Sequence, residues 1–189
     1  MALIPIFKIG IWNAWIFVII FLIPSFVLPL LNNAVHKKLS NPTDMKLSVS
    51  EKVVGYIATI IIYMEFLYAI FLPFKLGTIW FYVGLFIFLL AILILTSACI
   101  SFSKTPINEP VTMGIYRFSR HPFYLSNILV SIGIGIATAS WIILLVSIIF
   151  IILVNIVANY EECRCNERYK KTYKKYLNTV PRWIGIPRS

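Results

Sequence analysis

Two short groups hold most of the chemical capacity of this chain. The first is Arg117-Phe118-Ser119-Arg120-His121-Pro122-Phe123-Tyr124, and the second is the pair Glu161-Glu162. Between them runs one long apolar stretch. Charged and titratable side chains at the edge of such a stretch are costly unless they are solvated, paired or used. Pro122 suits the first position of a helix, because its missing N–H would be unpaired there anyway. The free N–H groups and positive dipole end of that helix favour a carboxylate or phosphate, and Arg117 and Arg120 add charge-assisted donors. The two carboxylates offer the opposite charge, and His121 or Glu162 is able to take a proton from an amine.

These groups need a scaffold, and composition defines its class. The chain has 189 residues, 60% of them hydrophobic and only 13% charged, with a mean hydropathy of +0.88. No ordinary soluble domain has that balance. Ile11 to Leu31 carries no charge, Val53 to Phe74 carries one, and Ile79 to Phe102 carries none. Each is long enough for a helix across a hydrocarbon core of ~30 Å, which takes about 20 residues. Pro122 to Ala158 is too long for one span, since a single helix there would run roughly 55 Å. A hairpin of two short helices fits, with Gly133, Gly135 and Thr138-Ala139-Ser140-Trp141 as the turn. The expected fold is an all-α polytopic membrane bundle of five transmembrane helices, followed by an amphipathic interfacial helix.

Charge tests the hairpin independently. With five spans, the segments 32–52, 103–121 and 159–189 share one face and hold fifteen of the seventeen Lys and Arg residues, leaving Lys8 and Lys75 opposite. With four spans the division becomes ten against seven. The positive-inside rule selects five, with the N-terminus outside and the basic tail in the cytoplasm. His121 and Glu161, forty positions apart, then meet at one cytoplasmic end. The net charge of +10 follows from loops and tail beside anionic headgroups, without nucleic acid. The membrane is that of the cell in a prokaryote and the endoplasmic reticulum in a eukaryote.

Other segments have plainer readings. The first apolar run is as long as a span and lacks a small-x-small pattern at Leu30-Leu31-Asn32-Asn33, so it reads as a retained helix, with Pro24 and Pro29 near one end. Cys99, Cys163 and Cys165 make no disulfide framework, and Cys-x-Cys alone does not signal zinc, so the cysteines read as packing residues. Gly133-Ile-Gly135 follows no strand and lacks a third glycine, which makes it a helix-packing element, not a dinucleotide loop. Glu65, inside a span, is protonated, hydrogen-bonded within the bundle, or part of a substrate path. From Tyr160 to Leu177, tyrosines at 169, 173 and 176 share one face, and Arg164, Arg168, Lys171 and Lys175 another. That pattern suits an interfacial helix acting as anchor, lid or both.

The run Gly114-Ile-Tyr116-Arg-Phe-Ser-Arg120-His121-Pro122-Phe-Tyr124-Leu, then Glu161-Glu162, then Tyr169, Tyr173, Tyr176 and Val180-Pro181-Arg182, resembles the isoprenylcysteine carboxyl methyltransferase and phospholipid methyltransferase superfamily. The resemblance covers residues 105 to 187. It implies a membrane enzyme moving a methyl group from S-adenosylmethionine to a lipophilic substrate that enters from the bilayer. Carried over, the cofactor contacts are Val111, Tyr116, His121, Pro122, Phe123, Tyr124 and Glu161, and Arg120, His121 and Glu162 are the candidate catalytic residues. No metal is signalled. One membrane domain spans 1–189, with three spans over 1–104 and the cofactor loop, hairpin and tail over 105–189.

Two departures bear on the acceptor and the reaction. In the carboxyl-methylating branch an arginine shortly before the paired acids holds the substrate carboxylate, whereas here Asn155-Ile-Val-Ala-Asn159-Tyr160 contains none. A prenylcysteine carboxylate and a phospholipid amine both stay open. Glu162-Cys163-Arg164-Cys165 with Tyr169 also resembles the end of membrane sterol reductases, which bind NADPH, although those chains are considerably longer. A non-catalytic lipid-binding role is the third reading. Oligomeric state is not legible.

Overall fold

The computed structural model describes residues 7, 9–31, 48–106 and 109–187. Lys8, Lys37, Lys38, Lys46 and Arg188, which enter the charge argument, lie outside the described residues, as does Asn32-Asn33. The elements are α1 (Trp15–Leu31), α2 (Val49–Ala69), α3 (Ile79–Lys104), a short 3-10 turn (Gly114–Arg117), α4 (Pro122–Ala137) and α5 (Trp141–Thr179). Among the described residues there is no strand, only an isolated bridge between Asn13 and Pro73.

By length and composition, α2, α3 and α5 are long and apolar enough to cross a membrane, whereas α1 and α4 are shorter at 17 and 16 residues. The first helix starts later than the apolar run beginning at Ile11. Residues before it pair with the chain after α2: Ala14 N–H donates to Leu72 O at 2.9 Å, Phe74 N–H to Trp12 O at 3.0 Å, and Asn13 Nδ2 to Ile70 O at 3.0 Å. Helix α2 starts earlier than its apolar run, because Ser48 and Glu51 form a capping box. Ser48 Oγ accepts from Glu51 N–H at 3.3 Å, and the Glu51 carboxylate accepts from Ser48 N–H at 2.7 Å.

The expected hairpin is present, with its turn at Thr138-Ala139-Ser140. Ser140 N–H reaches Gly135 O at 2.9 Å and Ala139 N–H reaches Ile136 O at 3.0 Å, the two bonds of a Schellman motif, with Ala139 at φ 52°. Gly135 leaves room for the returning helix, since a Cβ there would lie 2.7 Å from Leu144 Cδ2. Helices α3 and α4 pack through glycines: a Cβ on Gly84 would lie 2.4 Å from Ala137 N, and one on Gly133 3.1 Å from Gly84 O. Close backbone approach of this kind is how helices associate in lipid, where no hydrophobic force separates helix from solvent. Phe17 of α1 stacks on Phe88 of α3 at 3.9 Å and 10°, within a core that also contains Phe66, Leu95, Ile134 and Phe150.

Glu65 of α2 is buried and accepts a hydrogen bond from Ser131 of α4. Ser131 Oγ lies 2.5 Å from Ser147 Oγ of α5, and Ser147 donates to Ile143 O at 2.8 Å. The acid therefore joins three helices.

The tail is helical to Thr179. It is the distal part of α5, which continues from the apolar segment and breaks at Lys170 (φ 46°, ψ −119°). Past the break the chain turns back, so that Tyr173, Tyr176 and Val180 cluster with Cys165, Tyr169 and Leu177. Tyr173 and Tyr176 are buried in this cluster.

Gly84→Val should force α3 and α4 apart and destabilise the bundle by about 1–3 kcal/mol, the range for overpacking a filled interior. Gly55, whose Cβ would meet nothing within 4 Å, is the control. Thermal unfolding in detergent should show a lower midpoint for Gly84→Val and none of that loss for Gly55→Ala; equal midpoints would contradict the packing argument.

Candidate active site

The loop between α3 and α4 is held against α3 and against the tail. Gly114 adopts φ 60°, and a Cβ on it would lie 2.2 Å from Ser101 Oγ of α3. From the other side, Tyr176 Oη donates to Tyr116 O at 2.6 Å. Arg120 N–H donates to Pro181 O and Arg182 O at 3.1 and 3.2 Å, Ser119 Oγ donates to Arg182 O at 3.2 Å, and Gly185 N–H donates to Phe118 O at 3.1 Å. The residues after α5 thus form a strap across the loop.

Pro122 opens α4 as expected, and His121 stands at the N-cap, where its ring does not cap the helix. The ring serves the acids instead: Nε2 lies 3.0 Å from Glu162 Oε1 and Nδ1 lies 3.5 Å from Glu161 Oε2. Glu162 is enclosed. Arg120 Nη2 reaches its Oε1 at 3.1 Å, Arg182 Nε the same oxygen at 3.0 Å, and Arg182 Nη2 its Oε2 at 2.7 Å. The second Arg120 nitrogen, Nη1, donates to Leu177 O at 2.9 Å. Arg182 also donates to Asn155 Oδ1 at 3.1 Å.

The two adjacent acids consequently differ. Only 10% of the Glu162 side chain is exposed, against 44% for Glu161. Glu161 accepts from Tyr124 Oη at 2.5 Å, and the Tyr124 ring stacks on His121 at 5.7 Å. Glu161, Phe123 and Tyr124 form part of the wall of a cavity of about 600 Å³ lined by residues of all five helices. That volume is within the ~300–1,000 Å³ of small-molecule sites.

Of the residues singled out in the sequence, Arg120, His121, Tyr124, Glu161 and Glu162 converge, and Pro122 and Phe123 belong to the same helix start. Tyr116 is buried in the loop and Val111 is partly exposed; neither lines the cavity. Arg117 is exposed. Arg182 and Asn155 were not assigned a place in the site. The signal for Arg182 was Val180-Pro181-Arg182, an extended segment after a helix end, whereas its partner Asn155 lies 27 positions earlier and only the reversal at Lys170 brings them together. An arginine does reach the stretch before the paired acids, but from the tail. Among the described residues, no group of three His, Cys, Asp or Glu side chains is arranged to hold a metal.

Fold and site together define a helical membrane protein with an ionic cluster and a pocket at one end of its apolar bundle. Compared with known families, residues 72–172, just over half of the chain, match the model of the phospholipid methyltransferase family, and the chain belongs to that family. It falls within the isoprenylcysteine and phospholipid methyltransferase superfamily, as the motifs implied, and is of the class of membrane methyltransferases that act on lipids. The match takes in His121, Glu161 and Glu162 but ends before Arg182. No curated protein matches the chain. Nothing in these comparisons supports a sterol-type reductase.

Burial lowers the affinity of His121 for its proton, but hydrogen bonds to Glu161 and Glu162 outweigh it, so the ring titrates above its ordinary value of 6.5. A cation stabilised by folding contributes fully below the unfolded value, and the contribution is lost as pH rises through the folded one. Thermal stability in detergent should therefore decline above pH 6.5 in the native chain and decline less in His121→Gln. Parallel profiles would contradict the ion pairing.

Arg182→Ala removes two of the bonds to Glu162 and part of the strap. The expected cost is about 1–3 kcal/mol, the penalty for depriving a buried polar group of partners. Faster amide exchange across residues 118–121 should accompany it. An unchanged midpoint and unchanged exchange would show that the strap does not hold the loop.

Proposed function

We propose that the protein transfers a methyl group from S-adenosylmethionine to a membrane lipid, and that Glu161 and Tyr124 form the wall against which cofactor and acceptor meet. The observation that carries this reading is the division between the paired acids. Glu162 is consumed by Arg120, His121 and Arg182, whereas Glu161 keeps nearly half of its side chain accessible on a cavity wall.

The donor set fits the cofactor. S-adenosylmethionine, when bound, supplies a methyl group on a positively charged sulfur, which the lone pair of an acceptor displaces. A sulfonium with an amino-acid tail calls for a carboxylate, aromatic faces and an unspent cationic donor. Glu161 offers the carboxylate, and Tyr124 and Phe123 the rings. Arg120 Nε is buried and has no acceptor among the described residues, but Arg120 does not line the cavity and is not assigned to the ligand.

Roles follow from these positions. Glu161 and Tyr124 touch the ligand. Arg120, His121 and Glu162 are positioning residues: a carboxylate facing two guanidinium groups and an imidazole is a weak base, and an imidazole between two carboxylates holds its proton. His121 fixes Tyr124 by stacking and draws Glu161 toward the helix start. Val111 and Tyr116 belong to the loop before α4 and do not line the cavity. Much of the acceleration in such a displacement comes from alignment, which a rigid wall supplies.

In the membrane, five spans put the loop, the acids and the basic tail on the cytoplasmic side and the N-terminus outside, the orientation that the Lys and Arg distribution favours. At 16 residues α4 is short for a span, and its ends are satisfied by the hairpin turn and the loop, so it tolerates a buried position in the bundle.

Calorimetric titration of the purified protein with S-adenosylmethionine tests this reading. The native chain should bind, Glu161→Gln should bind at least tenfold more weakly, and NADPH should give no heat. Binding of NADPH without binding of S-adenosylmethionine would overturn the assignment.

A further inference from the structure

The reversal at Lys170 gives the C-terminal arm two faces, and the site uses only one of them. Tyr173, Tyr176 and Val180 are buried on the inner side, whereas Lys171, Lys174 and Lys175 are exposed on the outer side. Like charges three and four positions apart on a helix repel one another. Arg164, earlier in α5, is paired with Glu51 at 3.1 Å, but none of the three lysines has a carboxylate partner among the described residues. Glu167, the acid nearest to them in sequence, lies across the break. Lys170 itself holds φ 46° and ψ −119°, a conformation that a residue with a side chain keeps only where its surroundings fix it. The arm is therefore a held element with a self-repelling cationic face.

Its length sets where that face lies. From Ala158, the end of the apolar stretch, to Lys170 the helix rises roughly 18 Å at ~1.5 Å per residue. Past the break, helix to Thr179 and extended chain to Arg182 return a similar distance, roughly 20 Å. The endpoint agrees: Arg182 Nη1 donates to Asn155 Oδ1 at 3.1 Å, in the last apolar turn of α5. The tip of the arm is thus back at the edge of the apolar layer.

Apolar side chains are exposed at this tip. Ile184 and Ile186 are 71% and 86% exposed on either side of Gly185, whose N–H donates to Phe118 O at 3.1 Å, and Phe118 is itself 48% exposed. Cationic residues and exposed apolar ones at one level suit an anionic headgroup layer, where the apolar groups enter the acyl boundary and the lysines attract the headgroups. A soluble polyanion would use the lysines and leave the isoleucines in water.

We propose that the arm after Lys170 docks on an anionic membrane surface at this end of the bundle, with Phe118, Ile184 and Ile186 in the apolar boundary and Lys171, Lys174 and Lys175 over the headgroups. Docking reaches the site through Arg182, which lies between the lysine-bearing helix and the two isoleucines. Fixing both sides of that segment holds the guanidinium on Glu162 and the strap on residues 118–121. The composition of the leaflet then sets how firmly the loop is closed. Neither cofactor nor methyl acceptor takes part, so docking stands independently of the methyltransferase reading.

Hydrogen exchange of the full chain in nanodiscs holding one copy each provides the test, with discs of phosphatidylcholine alone and discs containing one-third phosphatidylglycerol. Exchange over 171–187 and 118–121 should be several-fold slower in the anionic discs, and the difference should vanish at about 1 M salt, where the Debye length is ~3 Å. Lys171→Gln combined with Lys174→Gln and Lys175→Gln should remove the difference and keep the thermal midpoint of the native chain in detergent. Ile184→Ser with Ile186→Ser should lower protection over 183–187 in both discs. Residues 70–78, at the opposite end of the bundle, should exchange alike in both. Equal exchange of the arm in the two discs, a difference that survives the triple lysine substitution, or unchanged protection in the isoleucine variant overturns the proposal. Equal slowing of 70–78 also overturns it, because the surface field alone would then be the cause. So does equal protection of the arm by single-stranded RNA in detergent, which would make the face a general polyanion site.

Discussion

One enclosed carboxylate organises the polar end of this molecule. Glu162 meets Arg120 and His121 from the end of the loop and Arg182 from the tail, so two distant stretches of chain converge on its two oxygens. A buried charge is tolerated only when it is paired and hydrogen-bonded, and this requirement fixes where each partner can be. Because Arg182 must reach Glu162, α5 has to reverse, which it does at Lys170. Because His121 must turn its ring to the acids, its side chain is not free to cap α4, and Pro122 reduces the number of N–H groups left without a partner there.

The consequence for function is a separation of labour between neighbours. The acid that holds the architecture is not the acid that faces the cavity. Glu161 inherits a fixed direction from the cluster behind it, with His121 on one side and Tyr124 on the other, and the first turn of α4 supplies the adjoining wall. The apolar part of the bundle is built on different rules. There, glycine contacts between α3 and α4 and the Glu65-Ser131-Ser147 chain join helices that lipid alone would not drive together. The cavity lies where these two regions meet, with charge at its rim and phenylalanines on its floor.

Much of this was legible in the residues. Hydropathy and the distribution of Lys and Arg called for a hairpin after Pro122, and the turn is where Thr138-Ala139-Ser140 suggested. His121 and Glu161 were expected at one end, and they are there. Helix boundaries were less legible, because Ser48 and Glu51 extend α2 through a reciprocal cap and residues 12–14 are drawn into pairing with residues 72–74, neither of which alters hydropathy. The tail is helical, as expected, but its break was not legible. Tyrosines at helical spacing indicate an apolar face, but not that the helix breaks at Lys170 and buries that face against Cys165 and Tyr169. Arg182 escaped for the same reason: its site depends on a chain reversal at a lysine, a residue type that carries no turn signal. Glu51 and Arg164 lie far apart in sequence, and no local pattern links them.

The central claim is that the wall at Glu161 and Tyr124 supports methyl transfer to a lipid. Its most direct test is to incubate the purified protein, reconstituted in vesicles of extracted membrane lipids, with S-adenosylmethionine carrying a deuterated methyl group, and to follow the lipids by mass spectrometry. The account predicts a lipid product heavier by one labelled methyl, formed in proportion to protein and absent with Glu161→Gln. Label that stays entirely on the cofactor across the whole lipid extract would contradict it.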